Sequence, residues 1–186
     1  MCSSDLVAVA GLVRRALEDA GLTGAVKTSG SKGVHVVVPV AGSSLEDVAA
    51  ATRALAARTA ALDPGRATTA YLREDREGRV FVDSTRSGQG TVVAAYSPRI
   101  RPGLPVSFPV PWDRLDDVRP GDFTVTTAPG LLGDTDPWSA VLPDPQALPA
   151  DLVAQGHTIP VARVQAMHEG KRRKRAAAQK EDGAEG

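Results

Sequence analysis

The stretch VKTSGSKGVHVVVPV, residues 26–40, gathers Ser29, Ser31, Lys32 and His35 where a glycine-rich segment enters an extended one. Serine hydroxyls, backbone N–H groups and one ammonium on such a loop suit an anion, most simply phosphate. Two more specialised chemistries do not fit. A P-loop needs another glycine at fixed spacing before its lysine and a helix after it, whereas GVHVVVPV reads as strand. Ser29 and Lys32 satisfy the Ser-x-x-Lys spacing of acyl-serine enzymes, but that serine belongs at the head of a helix. An ordinary surface turn accounts for the same side chains, and the loop alone does not separate the two readings. In the strand after it, Val34, Val36 and Val38 share one face, and His35 shares the other with Val37. A lone histidine there serves as readily in packing as in chemistry.

A second place of interest is Asp83, at the end of GRVFVD. A carboxylate closing an apolar strand is costly unless it is solvated, paired or bound to a metal, and a simple capping role is the plain alternative. Arginines bracket it at 73, 76, 79, 86, 99 and 101. Folded near the Ser29–Lys32 loop, several of them would make a triphosphate pocket beside a metal-binding acid. Scattered surface arginines would give the same run.

The elements that must position these groups can be read from periodicity. Leu6, Val9, Ala10, Val13, Leu17 and Ala20 follow helical spacing, with Gly21 as the stop. A strand is expected from Val34 to Val38. SSLEDVAAATRALAARTAAL is expected to be a helix, with Ser43 and Glu46 at capping-box spacing and a stop at Asp63–Gly65. A short helix is expected over Thr68–Glu74, then strands over Val80–Asp83, Thr91–Tyr96 and Phe123–Thr127. RPGLPVSFPVPW looks too rich in proline to sit inside a sheet. This order of helices and strands argues for a layered α/β or α+β domain. From Asp144 the pattern thins, leaving room for a short amphipathic helix around Ala150–Gln155, and the composition beyond Gly170 is that of a disordered tail.

At 186 residues the chain is long enough for one domain with a real core, and its composition is that of a soluble globular protein. One cysteine, Cys2, excludes an internal disulfide and a cysteine-rich zinc site, which suits a cytoplasmic location. No apolar run approaches a membrane span. The net charge of zero hides segregation: residues 66–101 hold 7 basic against 4 acidic side chains, and residues 102–160 hold 2 against 8. Neutrality therefore does not argue against a polyanionic partner. The run Lys171–Arg175 could track phosphates or act as a tether, or be a solvated patch balanced by Glu181, Asp182 and Glu185.

Three segments, VKTSGSKGVHVVVPV, YLREDREGRVFVDSTRSGQGTVVAAYSPRIRPGLPVSFPVPWDRL and FTVTTAPGLLGDTDPW, resemble in order and spacing the polymerase domain of bacterial DNA ligase D, of the archaeo-eukaryotic primase superfamily. The resemblance runs from about Leu6 to Trp138. It implies an α/β fold, a primase-type core with an RRM-like mixed sheet and packed helices. It implies a nucleotidyltransferase that extends DNA ends from nucleoside triphosphates during non-homologous end joining, using a divalent metal, Mn2+ or Mg2+. Ser29, Lys32 and His35 match the family's phosphate-binding second motif. Asp83 matches the acid of the third motif, a metal ligand, with His35 beside it in the catalytic set. Arg76, Arg99 and Arg86 match nucleotide-contacting positions. Partners implied are DNA ends, Ku and a DNA ligase domain or protein, at the bacterial nucleoid.

Departures from the family pattern qualify this. Ser84 replaces an aromatic residue, and one residue is missing between Asp83 and Tyr96. The family's first motif, Asp-x-Asp, should lie upstream of the helix beginning near Leu6, where only MCSSD stands. The Asp134–Thr135–Asp136 triplet lies far downstream and is expected to be structural. The expectation is therefore a partial polymerase domain over residues 6–143, an extension over 144–170 and a tail over 171–186. Its catalytic carboxylates would be incomplete, with a non-catalytic nucleotide- or DNA-binding remnant as the alternative.

Overall fold

A computed structural model describes residues 3–87, 92–119, 121–162, 167 and 170. The run Lys171–Arg175 and the tail lie outside the described residues.

Helix α1 (Ser3–Asp19) forms where the apolar spacing predicts it, burying Val9, Ala10, Ala16 and Leu17. Its end is a glycine-built turn. Gly21 takes φ +69°, the Leu22 N–H donates to the Leu17 carbonyl and the Gly21 N–H to that of Glu18. This paired arrangement needs a left-handed residue, which glycine adopts without a Cβ penalty.

The chain then makes a strand that the periodicity above does not predict. β1 (Ala25–Thr28) pairs antiparallel with β2 (Val34–Val37), Ala25 opposite Val37 and Lys27 opposite His35, so residues 29–33 are a hairpin loop. On the other side of β1 lies β5 (Pro109–Val110), also antiparallel. The expectation that the proline-rich stretch stays out of the sheet is thus corrected. Pro109 is accommodated because β5 is an edge strand, where a missing N–H breaks no inner ladder. Val26, Val34 and Val110 pack with Ala10 of α1, with Leu115 and with Trp112, which leaves the Lys27 and His35 face for other work.

Helix α2 (Leu45–Leu62) is capped one residue later than the sequence suggests: Ser44 Oγ accepts from the Asp47 N–H at 3.0 Å. The side chain that reaches back to it is that of Asp47, not Glu46, bonded to the Ser44 hydroxyl. The thin pattern after Asp144 conceals a helix, α5 (Ala150–Thr158), longer than predicted and anchored by the buried Leu152 and Gly156. Leu152 is fully buried against Leu17, Leu22, Ala51 and Ala54, and a Cβ on Gly156 would run into the Ala50 backbone. Small residues on both helices let the two backbones touch. Few large apolar residues are needed for such a contact, so the sequence looks weak there.

The segment expected as a helix over Thr68–Glu74 is instead strand β3 (Ala67–Thr68) and a 3-10 turn at Glu74–Arg76. β3 pairs parallel with β4 (Val80–Phe81), a strand shorter than predicted that ends before Asp83. Phe123–Thr127 is not a strand: Thr124 makes one bridge to Pro105, and the chain turns into α3 (Ala128–Leu132). Three aromatic rings hold this end, Phe108 stacked on Phe123 at 4.5 Å and edge-on to Tyr96 at 5.7 Å. Residues 92–95 form no strand, and Thr91 lies outside the described residues. A final short helix, α4, spans Pro137–Val141. The architecture is α/β, with helices against small sheets, and among the described residues no helix is long and apolar enough to cross a membrane.

Candidate functional site

The β1–β2 hairpin places Lys27 and His35 directly across from each other on one sheet face. Lys27 is 2% exposed, yet its ammonium is fully surrounded by acceptors. Nζ lies 2.6 Å from the Val93 carbonyl, 2.7 Å from Ser107 Oγ and 3.0 Å from His35 Nδ1. Ser107 is itself buried and donates its hydroxyl proton to the Thr28 carbonyl at 2.6 Å. The Thr28 hydroxyl donates to the Val106 carbonyl and accepts from the Phe108 N–H, locking the strand to the segment that leads into β5.

This cluster carries more positive charge than it balances. Burial, then the nearby Arg99, pushes Lys27 down to about 8. Burial, then Lys27 and Arg99, pushes His35 down to about 4, with the Asp83 carboxylate pulling the other way. The Arg99 guanidinium makes no hydrogen bond with any described residue, while its backbone N–H is tied to Pro105.

The predicted loop residues fall around this centre unevenly. Ser29 closes the hairpin, its N–H donating to the Gly33 carbonyl and its hydroxyl accepting from the Gly33 N–H. Gly30, at φ +63°, passes so close to Arg99 that a Cβ there would stand 2.7 Å from Arg99 Cγ. Lys32 is exposed and makes no hydrogen bond or ion pair with any described residue.

On the other arm, Asp83 is exposed and held locally. Its Oδ1 accepts from the Thr85 N–H at 2.9 Å and the Thr85 hydroxyl at 2.6 Å, and its Oδ2 faces Arg86 Nε at 3.7 Å. Arg76 is engaged within its own segment, donating to the Ala70 and Tyr71 carbonyls, with its guanidinium 4.0 Å over the Phe81 ring. Among the described residues no three histidine, cysteine or acidic side chains gather closely enough to hold a metal ion. Asp83, already bonded to Thr85 and facing Arg86, does not by itself fit one. Asp136, second acid of the Asp134–Asp136 triplet, accepts from the Tyr96 hydroxyl at 2.6 Å and caps α4 through the Trp138 N–H. Burial and that hydrogen bond push Tyr96 up to about 12. The triplet's visible role is structural.

Two residues of the cluster are missing from the sequence prediction, Lys27 and Ser107. Lys27 stands within the stretch that drew attention, but only a strand at 25–28 reveals that it faces His35. Ser107 is hidden inside the proline-rich run, where no periodic signal marks it.

With the geometry in view, comparison with known proteins decides the family. Residues 2–138 match the family model described as LigD, primase-polymerase domain. The chain belongs to this family. Among LigD proteins, the multifunctional non-homologous end joining protein LigD of Pseudomonas aeruginosa is 37% identical over 130 residues, 66% of this chain and 15% of that protein. The multifunctional non-homologous end joining DNA repair protein LigD of Mycobacterium tuberculosis is 37% identical over 116 residues, 61% of this chain and 15% of its own length. The structure of the polymerase domain from Mycobacterium tuberculosis ligase D in complex with DNA superposes with a TM-score of 0.67 at 31% identity. That match covers 76% of this chain and 50% of the solved domain. The LigD-family chain described here therefore spans half of that domain and a small part of the curated relatives.

Proposed function

We propose that this chain carries the nucleotide-binding part of a LigD-type polymerase, which adds nucleotides to DNA ends in non-homologous end joining. One observation carries the reading: the hairpin holds Lys27 and His35 opposite each other beside Arg99, where burial first and neighbouring positive charge second disfavour charge on both. A polyphosphate offsets the positive charge of Lys27 and Arg99, so the arrangement favours an anionic ligand at the hairpin. In this reading His35 and Arg99 take phosphate oxygens. Ser29 and Lys32 close over them from the loop, and Arg76 and Arg86 border the nucleotide. The ligands are nucleoside triphosphates and DNA ends, and Ku and a DNA ligase domain or protein are the expected partners at the bacterial nucleoid. A divalent metal, Mn2+ or Mg2+, belongs to the same proposal with Asp83 as one ligand. The described residues offer no partners for Asp83 in such a site, so no step is derived through the ion.

That last point favours a second reading, a nucleotide- or DNA-binding module without catalysis. Titration with ATP followed by primer extension with Mn2+ separates them. ATP binding is expected, and Arg99→Ala or Lys32→Ala should weaken it by about 1–3 kcal/mol, the scale of a charge-assisted hydrogen bond. Extension of a primer establishes the polymerase reading, binding without extension the module. Failure to bind either ATP or a DNA end overturns both.

A further inference from the structure

We propose that Lys27 is a positioning residue that holds the His35 ring with Nδ1 as acceptor and Nε2–H as the donor offered to a phosphate oxygen. The inference deepens the phosphate reading of the hairpin and rests on it only for the identity of the ligand. A charged lysine has three N–H donors and no lone pair. The Val93 carbonyl takes one, at 2.6 Å. Ser107 Oγ takes the second, at 2.7 Å, and can only accept there because its own proton goes to the Thr28 carbonyl. The third N–H points at His35 Nδ1, 3.0 Å away, which must therefore present its lone pair. In a neutral ring the remaining proton then sits on Nε2.

Nε2 is where a ligand would meet the ring. It makes no hydrogen bond with any described residue, and it is not sealed from solvent, since no buried side-chain nitrogen or oxygen lacks a partner. A phosphate oxygen accepts hydrogen bonds, so it binds this tautomer and not the reverse one. Loss of the lysine proton reverses the arrangement. A neutral amine still donates to Val93 and Ser107, turns its lone pair toward Nδ1 and draws the ring proton there, leaving Nε2 bare. Arg99 disfavours charge on both groups, and Asp83 acts on His35 in the opposite sense. With Lys27 pushed down to about 8, both arrangements lie within reach of ordinary pH.

The test reads the ring directly in the full chain and needs no nucleotide. Proton–nitrogen correlation spectra distinguish a pyridine-like from a pyrrole-like imidazole nitrogen, and His35→Asn assigns the signals among the 3 histidines. At about pH 7 Nδ1 should be pyridine-like and Nε2 pyrrole-like, exchanging identities as Lys27 titrates, below the pH where an ordinary lysine loses its proton. ATP affinity should fall in step, by about tenfold for each pH unit above the exchange. Lys27→Arg, charged throughout, should keep Nε2–H and flatten that slope, and Lys27→Met should remove both the exchange and the slope. A ring protonated at Nδ1 at about pH 7, or one that never exchanges up to about pH 9.5, overturns the proposal. So does an ATP slope that survives in Lys27→Arg. If the exchange occurs but ATP fails to bind, the phosphate reading falls while the hold of Lys27 on the ring stands.

Discussion

The hairpin and the Asp83 arm sit within electrostatic reach of each other but are built in different ways. Lys27 and Thr28 take their partners from Val93, Val106, Ser107 and Phe108, far along the chain. Asp83 takes its partners from Thr85 and Arg86, the next turn of its own segment. Long-range bonds to buried groups fix a geometry before any ligand arrives, and local bonds at the surface leave a side chain free to exchange them. The hairpin half of the candidate site is thus pre-organised, and the Asp83 half is not.

The sharpest way to break this contrast is to disturb the hairpin at Gly30. Its φ of +63° disfavours any side chain, and a Cβ would press on Arg99 Cγ and the Ser107 N–H at 2.7 and 3.1 Å. Gly30→Ala should cost about 1–3 kcal/mol in denaturant unfolding and displace Arg99. ATP binding should weaken further than stability predicts. A variant with unchanged melting and unchanged ATP affinity would show that the loop is no more fixed than the Asp83 arm.

These two regions also differ in how they appear in the sequence. α1 and α2 are legible because apolar residues recur at helical spacing, and β2 because valines alternate around His35. β1 is hidden for a physical reason. Four residues wide and buried on both sides between β2 and β5, it shows no alternation, and its lysine reads as surface. β5 is masked by Pro109, tolerated only because that strand lies at an edge, which a sequence does not reveal. α5 depends on Gly156 meeting Ala50, a contact made by absent side chains rather than by a hydrophobic pattern. The candidate site was accordingly legible where residue types and spacing announce it, at Ser29, Lys32, His35 and Asp83. Lys27 and Ser107 become visible only once strand pairing is known.

Protons sharpen the comparison with a smaller effect. His35 titrates near 4 in the folded chain and near its ordinary 6.5 when unfolded. Between those values the unfolded chain binds a proton that the folded chain refuses, so stability falls as pH drops from 6.5 to 4. For a half-buried ring the loss should be about 1–2 kcal/mol. Asp47, Asp136 and Asp151, held low chiefly by hydrogen bonds to His157, Tyr96 and Arg58, push the same way at more acid pH. The His35 share is the difference between wild-type and His35→Asn melting curves, and equal curves would remove it. Lys27 adds a contribution of the same sign in base. Its folded form prefers to be neutral, so its contribution to stability rises from about 8 toward 10.5 while ATP affinity falls.

The smallest effect belongs to Asp83 itself. Asp83→Asn keeps the size of the side chain and an oxygen able to accept from Thr85, and removes a charge that faces Arg86 at 3.7 Å in solvent. An exposed pair of this kind contributes little, so unfolding free energy should change by less than about 0.5 kcal/mol. The one distant consequence runs through His35, which loses the carboxylate that favours its protonated form. Its titration should move further down, measurable by following the ring across acid pH. If the substitution instead unfolds the chain or leaves His35 unmoved, the two arms do not differ in this way. In the first case the acid arm is a structural part of the fold, and in the second it stands outside the field of the hairpin.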